Sequence, residues 1–129
     1  MGTTEIEAPT KWIFVVSDDP RVRDVAGFGF GSSVEVTFAT DAREALEIMR
    51  GGIPAVVVVD MHAGSAGGFA LAKDMKADPR LRRVPVLMLL QRDQDAWLAR
   101  EAGAELHRTK PIDTTELVEA ALSLTDPAA

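Results

Sequence analysis

Apolar positions along this chain follow two rhythms in alternation. Short runs of consecutive apolar residues are separated by longer stretches in which they return every three or four positions. The run Ala55-Val56-Val57-Val58-Val59 and the run Pro85-Val86-Leu87-Met88-Leu89-Leu90 contain no polar interruption, which suits strands buried on both faces of a parallel sheet. Lys11 through Ser17 and a short segment near Leu106 complete this set, while Val34 to Phe38 alternates enough to lie near a sheet edge. Between them lie five helical patterns. The first starts at Pro20, with Val22, Val25 and Ala26 inward, and should be short, because Gly27, Gly29 and Gly31 alternate with Phe28 and Phe30 over its last turns. Asp41 and Glu44 cap a second helix lined by Ala42, Ala45, Leu46 and Met49, which Gly51-Gly52 ends. A loop from Met61 to Gly67, containing Gly64, leads to a third helix bearing Phe69, Leu71, Ala72 and Met75 and stopped by Pro79. The fourth spans Asp95 to Ala102 before Gly103. Asp113 and Glu116 cap a fifth with Leu117, Val118, Ala121 and Leu122 inward. Regular strand–helix alternation of this kind predicts an α/β fold, a doubly wound parallel sheet of five strands with five helices in three layers.

The polar residues that end the runs narrow the picture. Asp60 closes the valine run, Asp18 and Asp19 follow the first strand, and Thr109-Lys110-Pro111 follows the fifth. Any one of these acids could be a cap or turn residue. In an open parallel sheet, however, the carboxyl ends of the strands share one edge, where ligands bind. Carboxylates gathered there repel one another unless a cation lies among them, and hard oxygen ligands suit Mg²⁺.

Composition bounds the rest. A chain of 129 residues is one domain, with residues 1–10 read as a lead, 11–125 as the folded unit and 126–129 as a tail. The formal charge of -6 and the lack of a Lys/Arg stripe argue against nucleic acid as a partner. Arg80, Arg82 and Arg83 read as a solvated connector. With no cysteine there are no disulfides and no thiolate chemistry. Neither a signal peptide nor a membrane-spanning run is present, so a cytoplasmic location and no membrane insertion are expected. His62 and His107 have no second His or Cys at ligand spacing, which favours ordinary loop or half-buried histidines over ring ligation of a metal.

In order and spacing, Val16-Ser17-Asp18-Asp19-Pro20 with Arg23, Val57-Val58-Val59-Asp60, Gly68, Ala102-Gly103-Ala104 and Lys110-Pro111 resemble the receiver domain of bacterial two-component response regulators. The resemblance covers nearly the whole chain and implies the flavodoxin-like strand order 2-1-3-4-5. It implies that Asp60 is the phosphoacceptor, charged by a histidine kinase or phosphotransfer protein, and that Lys110 contacts the phosphoryl oxygens, with a cis bond before Pro111 aiming it. It further implies that Asp18, Asp60 and the backbone carbonyl of His62 hold a weakly bound Mg²⁺, with Asp19 a further candidate. Signalling would then run through protein partners, by way of the fourth helix, fifth strand and fifth helix, where Trp97 is either a solvent-exposed anchor or packed inward.

Three positions depart from the family's pattern. Ser17 replaces the first acid of the amino-terminal pair. Leu90 falls where a hydroxyl residue ends the fourth strand, with Gln91 beside it in place of a small residue, and His107 occupies the aromatic switch position. Leucine offers no donor. The resemblance therefore supports a stand-alone, phosphorylation-gated receiver, with a degenerate receiver acting as a phosphorylation-independent interaction domain as the alternative. Enzymatic function is not expected, since an aspartate-nucleophile phosphatase would want a second acid where His62 stands. No output segment follows Leu124, so output is expected through another chain.

Overall fold

The computed structural model describes residues 11–32, 34–62 and 67–125. Within them the chain runs β1 (Lys11–Val16), α1 (Pro20–Gly29), β2 (Val34–Ala39), α2 (Ala42–Met49), β3 (Val56–Asp60), α3 (Gly68–Ala77), β4 (Val86–Leu90), α4 (Ala96–Glu101), β5 (Leu106–Thr109) and α5 (Thr114–Thr125). All strand pairings are parallel, and the sheet order is β2-β1-β3-β4-β5, as expected.

The core divides by strand parity. Phe14, Val16, Val57, Val59, Met88 and Leu90 face α2, α3 and α4, whereas Ile13, Val15, Val56, Val58, Leu87 and Leu89 face α1 and α5. Every residue of β3 and β4 is buried, so these two central strands carry no polar alternation. The parallel register brings Val16 beside Val59, Asp60 beside Leu89 and Leu90 beside Thr109. One edge therefore collects the residues after β1, β3, β4 and β5. Among the described residues no helix is long and apolar enough to cross a membrane.

Local chemistry explains most boundaries. The Asp41 carboxylate accepts the Glu44 N–H at 2.9 Å, and that of Asp113 accepts the Glu116 N–H at 2.8 Å. Glu44 reaches back to the Thr40 N–H at 2.8 Å, one residue before the cap of a standard capping box. Gly103, at φ 91, ends the α4 segment in a conformation that favours glycine.

Three expectations need correction. The first helix is not cut short: α1 continues through Gly27 to Gly29, because Gly29 lets α5 come close. A Cβ there would lie 2.4 Å from Thr114 Cγ2 and 2.6 Å from Val118 Cγ2, so packing outweighs weak propensity. Phe28 is left 85% exposed. The fourth helix begins at Ala96 rather than Asp95, preceded by a 3₁₀ turn over Asp93–Asp95 that the Asp93 carboxylate ties to the Thr109 hydroxyl. Arg80 is more than a solvated connector, since its guanidinium donates to the Met49 carbonyl at 2.7 Å and fastens the end of α2. Gly64 of the predicted Met61–Gly67 loop lies outside the described residues.

Candidate functional site

Asp60, the last residue of β3, is only 2% exposed. A buried carboxylate needs hydrogen bonds and a counter-charge. The Ser17 hydroxyl donates to its Oδ2 at 3.1 Å and the Lys110 ammonium donates to the same oxygen at 2.7 Å. Its other oxygen, Oδ1, accepts among the described residues only the His62 N–H, at 3.3 Å. The two oxygens therefore differ: Oδ2 is held by two close donors and Oδ1 by one long one.

Lys110 is placed by the end of β5, where its N–H donates to the Leu90 carbonyl at 2.8 Å, and the Lys110–Pro111 peptide is cis. Its ammonium bridges two acids, reaching Asp19 Oδ2 at 3.2 Å as well as Asp60. Burial would by itself depress this lysine, but the hydrogen bonds and charges of Asp60 and Asp19 prevail and raise its pKa above the usual lysine value. Asp19 shows the converse. Burial pushes its carboxyl up, yet the Arg21 N–H and the Lys110 ammonium outweigh that and hold it below the usual carboxylate value.

Asp19 has a second task as the N-cap of α1, with Oδ1 accepting the Arg21 N–H at 3.0 Å. Both of its oxygens are thus engaged within the protein. Asp18, the neighbouring acid, is exposed at the same edge. Ser17 is fully buried, and its Oγ accepts the Asp19 N–H at 3.0 Å while donating to Asp60. A second carboxylate here would face Asp60 in a desolvated place, so the serine lets Asp60 remain buried with one lysine as its counter-charge. Arg23 holds the end of β1 through the Ser17 carbonyl at 3.4 Å and lies 5.1 Å from the centre of the Phe38 ring.

Among the described residues no cluster of three or more His, Cys, Asp or Glu side chains is arranged to hold a metal ion. The expected set asks for less: two carboxylates, Asp18 and Asp60, with the carbonyl of His62. These are hard oxygen donors of the kind Mg²⁺ takes, gathered at the one edge of the sheet where Asp18 and His62 are exposed. The His62 side chain is exposed. On this observation the residues fit a divalent cation, while Asp19 is committed elsewhere.

At the other departures the structure is unambiguous. Leu90 is fully buried among the residues facing α2, α3 and α4. His107 is half-buried on β5 beside Met88. Trp97 on α4 is 58% exposed. Sequence reading alone did not find the bridging role of Ser17, the Asp19–Lys110 pair or the Asp93–Thr109 tie. Each joins residues distant in sequence, and only the preference of Asp for N-caps hinted at one of them.

The sequence matches the response regulator receiver domain over residues 13–122. It is 32% identical over 109 residues to the uncharacterized 14.6 kDa protein in the sodA1 3′ region of Leptolyngbya boryana, covering 82% of this chain and 83% of that protein. It is also 32% identical over 116 residues to the response regulator PleD of Caulobacter vibrioides, where the match covers 88% of this chain but only 26% of PleD. In fold it is similar to the chemotaxis response regulator CheY4 of Vibrio cholerae, with a TM-score of 0.82 at 21% identity over 89% of this chain and 98% of that one. With its sheet order, its edge of acids and lysine and this match along most of its length, the chain belongs to the response regulator receiver domain family.

Proposed function

We propose that Asp60 accepts a phosphoryl group from the phosphohistidine of a histidine kinase or phosphotransfer protein, and that the phosphorylated domain signals through a protein partner. The observation that carries this reading is the unequal pair of oxygens on a buried Asp60, Oδ2 fixed by Lys110 and Ser17 and Oδ1, among the described residues, bound only by the long His62 N–H. Oδ1 attacks phosphorus, the P–N bond breaks, and the departing imidazole nitrogen takes a proton, leaving an acyl phosphate on Asp60. Lys110, already an ion pair of Asp60 and Asp19, turns its ammonium to the incoming phosphoryl oxygens. Asp18, Asp60 and the His62 carbonyl would hold Mg²⁺, which when bound neutralises part of the phosphoryl charge.

Incubation with phosphoramidate and Mg²⁺ tests the reading. A hydroxylamine-labile phosphoryl group is the expected product, and a hydroxylamine-stable one, or none, overturns it. With Ser17 in place of an acid, Mg²⁺ binding should be weak, because two anionic ligands attract it less than three. Ser17→Asp should tighten Mg²⁺ on the order of tenfold while lowering thermal stability in EDTA, where the new carboxylate faces Asp60 without a cation. Calorimetric titration and melting with and without Mg²⁺ would check both, and a variant that gains stability in EDTA would contradict it.

Output is assigned to the face of α4, β5 and α5, where exposed Trp97 offers an apolar anchor. The degenerate reading draws on one specific observation: Leu90 is sealed in the core and has no hydroxyl with which to follow the phosphoryl group.

A further inference from the structure

Gln91 follows β4 at the same edge as Asp60 and is exposed. Asp60 pairs with Leu89 in the sheet and the Met61 N–H donates to the Leu89 carbonyl at 2.9 Å, so Gln91 stands one pleat beyond, across from the chain that carries His62. It lines two cavities that flank the site. One, of about 390 Å³, includes Asp19, Lys110 and Pro111, and the other, of about 500 Å³, includes Met61, His62 and Arg92. Its backbone is fixed on both sides, by the Lys110 N–H on the Leu90 carbonyl and by the Asp93–Thr109 tie. Among the described residues its carboxamide has no hydrogen-bond partner.

A phosphoryl group on Asp60 brings several oxygens to this edge, and the donors available to it are few. The Ser17 hydroxyl already donates to Asp60, the Lys110 N–H is spent on Leu90, and the Leu90 side chain has nothing to donate. Lys110 approaches from β5. On the β4 side Gln91 is the residue that lines both cavities, and the neighbouring Arg92 guanidinium is turned to Asp95 at 3.7 Å. We propose that the Gln91 carboxamide is a ligand-contacting residue that donates a hydrogen bond to the phosphoryl group on Asp60, resting on the reading of Asp60 as phosphoacceptor. Its side chain is long and exposed, and its lack of a partner among the described residues means that no bond between described residues must be broken first. A donor to a charged oxygen is worth enough to shift affinity about tenfold.

Beryllium fluoride, whose BeF₃⁻ unit on a carboxylate stands in for the phosphoryl group, provides a direct test in the presence of Mg²⁺ by ¹⁹F NMR. Wild type should show bound fluorine resonances that Asp60→Asn lacks. Gln91→Ala and Gln91→Glu should each bind about tenfold more weakly than wild type, with the fluorine shifts altered. Gln91→Glu keeps the size of the side chain and removes the donor, so it separates hydrogen bonding from steric cover. Unchanged binding in both variants, or tighter binding in Gln91→Ala, overturns the role of Gln91 while leaving Asp60 as acceptor. Absence of bound fluoride on wild type overturns both readings.

Discussion

Gly68→Ala should destabilise the protein by about 3 kcal/mol, the upper part of the range for overpacking a filled interior. Gly68 opens α3 directly beneath the end of β3. A Cβ on it would lie 2.3 Å from the Asp60 carbonyl oxygen, 2.9 Å from the carbonyl carbon and 2.7 Å from Val59 Cγ2. Two of those atoms are backbone and belong to a strand paired on both sides, so they cannot swing away as a side-chain tip would. Either α3 lifts from the sheet or Asp60 is displaced from Ser17 and Lys110, and the site is disturbed in both cases. The urea midpoint should fall with an unchanged m value, and the melting temperature should drop by about 10 °C. A loss under about 0.5 kcal/mol, the range of an ordinary surface change, would show that the helix start yields freely.

Lys110→Met should cost about 3 kcal/mol at neutral pH in the absence of metal, because it removes the ammonium from a nearly fully buried carboxylate while keeping most of the side-chain volume. The side chain of Lys110 is 14% exposed and that of Asp60 2%, so water cannot replace the missing donor cheaply. The pH dependence gives a second signature. The pKa of Lys110 is raised in the folded protein, so its stabilising contribution is fully present below the unfolded lysine value of about 10.4 and is lost as pH rises through the higher folded value. The methionine variant should lack that alkaline loss. Denaturation series at neutral and alkaline pH would show it, and equal stability of the two proteins at neutral pH would contradict the account.

What the sequence discloses about this molecule depends on how local the determining physics is. The central strands were legible because burial on both faces leaves a run of valines or leucines with no polar interruption, which few other environments allow. That Asp60 and Lys110 meet at one edge, beside an acid from the loop after β1, was legible because parallel topology sends every strand's carboxyl end there; the loop acid that reaches Lys110 is Asp19. Helix α1 was misjudged because glycine propensity is local, whereas the packing of Gly29 against Thr114 and Val118 is not. The Ser17–Asp60 bond spans 43 residues of sequence and the Lys110–Asp19 pair 91, and both depend on side-chain direction that no periodicity encodes. For that reason Ser17 reads in the sequence only as a missing acid. In the structure it is a hydroxyl with both a donor and an acceptor task.

The claim on which the rest depends is that Asp60 is the residue modified. Intact-mass and fragment analysis of wild type and Asp60→Asn, each incubated with phosphoramidate and Mg²⁺, tests it most directly. The account predicts one phosphoryl group on wild type, mapped to residue 60, and none on Asp60→Asn, whose amide cannot attack phosphorus and whose fold should survive so conservative a change. Equal labelling of the two proteins, or a wild-type phosphoryl group mapped to any other residue, would contradict it.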